Sequence, residues 1–175
     1  AALAIYGFAI AGPERLKGLI KNVVSVTLPD LAERNFEEAS KLSAYRILIV
    51  LATGFAMALS YIVLAPLLFK FLLPRYLDAV IYSQAYALSL VAIPITIYVG
   101  NIFAGQNMLR AIYLHTTSGY VTRIALFVIL GSLWQIWGIV IASVTSYTLI
   151  AIYGVIILGV EKRRLRKKNS SISSL

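Results

Sequence analysis

Apolar residues fill this chain in long runs that polar residues interrupt only briefly. Residues 47–69, 79–109 and 124–160 carry no formal charge. An α-helix rises about 1.5 Å per residue, so about 20 apolar residues cross a hydrocarbon core of about 30 Å. The third run is too long for one crossing. It breaks at Gly131-Ser132-Leu133-Trp134-Gln135-Ile136-Trp137-Gly138, where aromatic, amide and glycine residues suit a short turn at a headgroup boundary. The first span candidate covers 4–28 and ends at Leu28-Pro29-Asp30, because proline disfavours helix at the residue before it and cannot donate into the preceding turn. The polar segment 31–41, with Leu31 and Phe36 as its large apolar residues, reads as a short surface helix. Further spans are expected over 44–72, 79–105, 108–133 and 137–160, with turns at 74–78 and 105–107. Pro66 and Pro94 are kink candidates. The pattern predicts an all-α fold, a polytopic transmembrane helix bundle of about five spanning helices over 1–168, with a disordered Ser-rich tail at 169–175.

Composition agrees with a membrane solvent. Hydrophobic residues make up 60% of the 175, with a mean hydropathy of +0.85, more apolar than a soluble domain of this size sustains. Cysteine is absent, so disulfides and thiolate metal sites are excluded, and the single histidine, His115, excludes a multi-histidine centre. Neither cofactor nor metal is expected. The net charge of +9 does not point to nucleic acid, because six of the sixteen basic residues sit in one tail, Lys162-Arg163-Arg164-Leu165-Arg166-Lys167-Lys168. Beside a span, such a tail reads as a cytoplasmic flank that meets anionic lipid headgroups. With the tail inside, Arg34, Lys41, Arg46 and Arg110 also fall inside, while Lys70 and Arg75 fall outside. That bias obeys the positive-inside rule for a multi-pass protein of the cytoplasmic membrane. The chain opens on Ala1 within an apolar run, without a signal-peptide pattern, and reads as the C-terminal part of something longer.

Charges inside a span are costly and mark cavities or partners. The strongest anomaly is Pro13-Glu14-Arg15-Leu16-Lys17-Gly18-Leu19-Ile20-Lys21. At 100° per residue, Glu14, Lys17, Gly18 and Lys21 share one helical face, with Arg15 to one side. Glu14 can pair with Lys17, which leaves at least one cation over. A surplus cation in a wet cavity suits an anion such as a diphosphate, and Arg15 can grip phosphate bidentately. Two plainer readings stand beside this one: an interfacial amphipathic helix, or a Glu–Lys pair that only locks helices together. In the fourth span, Tyr113, Thr116, Tyr120 and Arg123 fall in one narrow sector. Arg123 lies about 22 Å from Met108 along the axis, where it either lines a pathway or snorkels. The tyrosines and Thr116 are candidates for sugar contacts or for interhelical hydrogen bonding. His115 and Glu14 are the candidates for ion or proton coupling. Gln84, Asn101, Ser143, Thr145, Ser146 and Thr148 can bond across helices or to their own backbone. No catalytic constellation is present: no paired carboxylates within a span, no Ser–His–Asp set and no phosphate-cradling glycine loop. Asp30, Glu33, Glu37 and Glu38 mix with basic residues and read as a solvated face.

The order of motifs is informative. Tyr6-Gly7-Phe8-Ala9 opens a span that contains Pro13-Glu14-Arg15-Leu16-Lys17, and Leu28-Pro29-Asp30-Leu31-Ala32-Glu33 closes it. Leu73-Pro74-Arg75-Tyr76-Leu77-Asp78 follows the next span, and Trp137-Gly138-Ile139-Val140-Ile141-Ala142 opens the last. This order resembles the C-terminal region of polysaccharide flippases, the O-antigen and exopolysaccharide translocases of the multidrug/oligosaccharidyl-lipid/polysaccharide exporter superfamily. The resemblance implies part of a MATE-like transporter with two six-helix bundles around a central cavity, whose N-terminal bundle would be this chain's partner. It also implies movement of lipid-diphosphate-linked oligosaccharide to the outer leaflet for polysaccharide biosynthesis, with cavity cations that Arg15, Lys17 and Lys21 would supply; Arg123 is a candidate second contact for the diphosphate. The competing readings are a cation-coupled multidrug exporter, which would favour a carboxylate-dominated cavity, and a non-transporting membrane scaffold.

Overall fold

A computed structural model describes the backbone of residues 2–26 and 36–172 and the side chains of 4–26 and 45–164. All regular structure among the described residues is helical: α1 (Ala2–Ser25), α2 (Phe36–Leu72), a 3-10 turn (Pro74–Tyr76), α3 (Ala79–Ala87), α4 (Ser89–Gly105) and a long element (Leu109–Ile172). Trp134 and Gln135 leave helical geometry within the long element, with Gln135 at φ 49°, ψ −122°. Its two arms are named α5 (109–133) and α6 (136–172). Tyr45–Leu72, Ala79–Gly105 and Leu109–Arg164 are long and apolar enough to cross a bilayer, the last of them twice over. The protein is an all-α polytopic membrane bundle. α1 spans the expected length but is not among those three, since Glu14, Arg15, Lys17 and Lys21 interrupt it.

Three boundaries differ from the reading of the sequence. The described part of the polar segment, from Phe36 on, is continuous with α2 rather than a separate surface helix. No glycine or proline stands between Phe36 and Gly54 to break it. The expected surface cluster Asp30, Glu33, Glu37 and Glu38 lies outside the residues whose side chains are described. The third span is interrupted at Leu88, not at Pro94. There Leu88 N bonds Ala85 O and Val91 N bonds Leu88 O, the tighter three-residue pattern. Pro94, with no N–H, leaves the Leu90 carbonyl four residues earlier without its helical donor. Gly54 of α2 fills that side: a Cβ there would lie 2.6 Å from the Leu90 oxygen, so only glycine permits the approach. The helical backbone of α6 continues to Ile172, into the stretch 169–175 for which disorder is expected.

The arms of the hairpin run antiparallel. Gly119 faces Ile150, Gly154 faces His115, and Gly131 faces Ile139. At the tip, a Cβ on Gly138 would fall 1.8 Å from the Leu130 oxygen, so the turn closes over a residue without a side chain. Trp137 packs on Tyr82 at 4.8 Å between ring centroids, which brings the tip to the α3 end of the bundle. α4 lies against both α2 and the hairpin through Leu90, Ile93, Tyr98, Val99, Ile102 and Phe103, all buried. α1 closes the bundle against α3 and α4. Its buried stripe is Ala9, Pro13, Ile20 and Val24. Polar residues within spans tie these helices. Gln84 Nε2 donates to the Ile62 carbonyl at 2.8 Å. Tyr61 and Ser83 share a 2.6 Å hydroxyl bond. Asn101 Nδ2 donates to the Val24 carbonyl at 3.1 Å, which satisfies an orphan acceptor in the last turn of α1. Ser143, Ser146 and Thr148 bond back to their own helix.

Candidate functional site

Lys17 leaves α1 beside the buried stripe and enters the junction of α1, α3 and the hairpin. Its Nζ donates to Glu14 Oε1 and Oε2 at 3.3 and 3.2 Å and to the Tyr147 hydroxyl of α6 at 2.6 Å. Tyr86 of α3 donates to Glu14 Oε1 at 2.5 Å. Arg123 of α5 reaches the same Tyr147 oxygen, Nη1 to Oη 3.2 Å. Both cations also lie over the Tyr147 ring, 4.9 Å for Lys17 and 5.1 Å for Arg123, where the ring quadrupole attracts them. Tyr6 stands by Ser143 and within electrostatic range of Glu14, Arg123 and Tyr147.

Two positive charges therefore share one phenol, and one of them, Lys17, is also paired with a carboxylate. The carboxylate accepts from Tyr86 and Lys17. The Tyr147 oxygen accepts from both cations, which leaves its own proton free to donate elsewhere. Lys17 and Arg123 thus meet at one oxygen, from α1 and α5. Tyr147 and Arg123 line a pocket of about 210 Å³ with Thr96, His115, Thr116 and Tyr120. Arg123 and Tyr147 each stand twelve positions from Gln135, about 18 Å along the arms. A turn at a headgroup boundary would put the cluster near the middle of a core about 30 Å thick.

The sequence candidates separate here. Lys17, Glu14 and Arg123 come together. Arg15 and Lys21 are exposed on α1, and Arg15 points away from the buried stripe. Thr116 and Tyr120 share the pocket with Arg123, whereas Tyr113 is exposed and outside it. His115 is buried against Phe103 and held to the Ile150 backbone, with Nε2 packed where a Cβ on Gly154 would stand. Tyr86 and Tyr147 were not among the sequence candidates. Their signal was a phenol placed mid-span, since a buried tyrosine hydroxyl needs a partner.

Comparison with protein families matches residues 18–175 to the family described as polysaccharide biosynthesis protein. The chain belongs to this family. The resemblance drawn from its motif order holds at that level, and the chain is a membrane protein of polysaccharide biosynthesis with the features of a transporter. Searches among curated proteins and among solved structures find no match. The family match starts at Gly18, so Lys17 and Glu14 lie just before it, while Tyr86, Arg123 and Tyr147 lie within it.

Proposed function

We propose that this polysaccharide biosynthesis protein is part of a flippase, which carries lipid-diphosphate-linked oligosaccharide across the cytoplasmic membrane with the C-terminus on the cytoplasmic side. The observation that carries the reading is the excess of cations over carboxylate around Tyr147, held within helices of a membrane bundle. An anionic headgroup gains most from such charge where water is scarce. In this reading Lys17 and Arg123 receive the diphosphate, Tyr147 adds its proton, and Thr116 and Tyr120 meet the first sugar. Arg15 and Lys21, on the open side of α1, draw the anion toward the site and face the N-terminal bundle. Glu14, fastened by Tyr86 and Lys17, is the group to exchange a proton or cation when the anion takes Lys17 from it. A multidrug exporter would need carboxylates to outnumber cations here, and Glu14 does not.

The test replaces Lys17 and Arg123 by Gln, singly and together, in the full-length protein and follows movement of a fluorescent lipid-linked oligosaccharide between leaflets. Loss of one charge-assisted contact is expected to slow transport about tenfold, at normal protein level in the membrane. Full transport by the double variant would refute the reading.

A further inference from the structure

A second basic site lies at the far end of the hairpin. Arg110 at the start of α5 and Arg163 and Arg164 near the end of the span in α6 line one pocket of about 510 Å³. Its floor is apolar: Leu114, Ile156, Ile157 and Val160. The arginines come from chain positions more than fifty residues apart, so the pocket exists only because the arms return to the same end. Glu161 is the acidic group in it, paired with Arg164 at 3.6 Å. Among the described residues, neither Arg110 nor Arg163 has an acidic partner.

The order of polarity along the arms is what matters. Arg110 stands 25 positions before Gln135 and Glu161 stands 26 after it. That is about 38 Å of helix on either arm. This distance carries the basic end past a hydrocarbon core of about 30 Å and into the headgroup layer opposite the turn. Leu114 lies about 6 Å deeper than Arg110 and Ile156 about 10 Å deeper than Arg163, inside the apolar slab. Cation at headgroup depth above an open apolar slot is the shape of a phospholipid, not of a free anion, which has no use for the slot. We propose that this pocket is a binding site for an anionic phospholipid of the leaflet at the hairpin's open end, with its phosphate between Arg110 and Arg163 and an acyl chain over Leu114 and Ile157. The proposal is independent of the transported substrate. It goes beyond a basic tail lying on a charged surface, because it assigns a built pocket that includes Arg110.

The test uses the full-length protein in neutral detergent, with retained phosphatidylglycerol and phosphatidylcholine counted by native mass spectrometry over a lipid titration. Phosphatidylglycerol is expected to be held preferentially. The pair Arg110→Gln and Arg163→Gln should weaken it about tenfold. Ile157→Trp, which leaves every charge in place but fills the slot, should weaken it as well. Lys70→Gln with Arg75→Gln removes equal charge at the opposite end and should change nothing. All of these side chains except Ile157 are exposed, so the charge variants fold. Three results would overturn the proposal: unaltered binding in Ile157→Trp, meaning surface attraction alone; equal retention of both lipids, meaning an ordinary lipid shell; or displacement by inorganic phosphate, meaning a free-anion site.

Discussion

Lys17 donates to the Tyr147 hydroxyl across 2.6 Å and so ties α1 to α6 over 130 positions of chain. Arg123 bonds the same oxygen at 3.2 Å. Tyr147→Phe removes the shared acceptor while keeping the ring that both cations face. The expected cost is about 1–2 kcal/mol in the thermal unfolding of the detergent-solubilised protein, since two cations lose an acceptor at once. Transport should fall with it. An unchanged melting profile would mean that the hydroxyl bonds do not hold the solubilised protein together.

Glu14→Gln and Lys17→Gln are expected to differ in sign at the anion site. Without the Glu14 carboxylate, Lys17 and Arg123 face each other with no compensating charge. The protein should lose about 1 kcal/mol of stability, a modest figure because the pair is about one third exposed (29% and 36%). A soluble diphosphate probe should bind more tightly. Lys17→Gln should weaken the same probe. Equilibrium binding at two ionic strengths checks both, and the Glu14→Gln gain should shrink at the higher salt.

The hairpin tip offers a pair of opposite effects. At Gly138 an added methyl would meet the Leu130 oxygen at 1.8 Å, so Gly138→Ala must part the arms. A loss of about 3 kcal/mol or failure to accumulate in the membrane is expected. Gln135 holds φ 49°, ψ −122°, a region costing a residue with a Cβ about 1–3 kcal/mol. Gln135→Gly relieves this and should stabilise by about 0.5–1 kcal/mol. Unfolding of the two variants by tryptophan fluorescence distinguishes them.

How far these features could be read in advance depended on their range. The turn was legible because glycine and tryptophan cluster within eight residues, and the apolar runs marked the helices by length alone. The interruption at Leu88 was not, because no glycine or proline stands between Gln84 and Ser89 to mark it. The cluster was half legible. Glu14, Lys17 and Arg123 stood out as charges within spans. Tyr86 and Tyr147 did not, because nothing local distinguishes a phenol that meets a charged partner from one that meets lipid. Which of Lys17 and Lys21 turns inward also depends on what packs beside α1, and their shared face on a helical projection does not decide it.

A chain free of cysteine makes orientation directly measurable. Single replacements Asn107→Cys and Arg164→Cys should react with an impermeant maleimide only from the cytoplasmic side, and Asp78→Cys and Gln135→Cys only from outside. Reversal of that pattern would invert the proposed topology. Labelling of Gln135→Cys from neither side would place the tip within the lipid.

The tight connection between α5 and α6 has a consequence for how the protein enters a membrane. With only Trp134 and Gln135 out of helical geometry between the arms, the two arms have no slack to lie apart in the finished fold. We expect the arms to enter lipid together as one wedge, tip first. Arg110 and Arg163 then act as paired anchors at its blunt end, and either one alone would stop the wedge from passing through. Loss of one anchor should leave the arrangement intact, whereas loss of all the basic residues at that end would leave the hairpin free to slide or turn over.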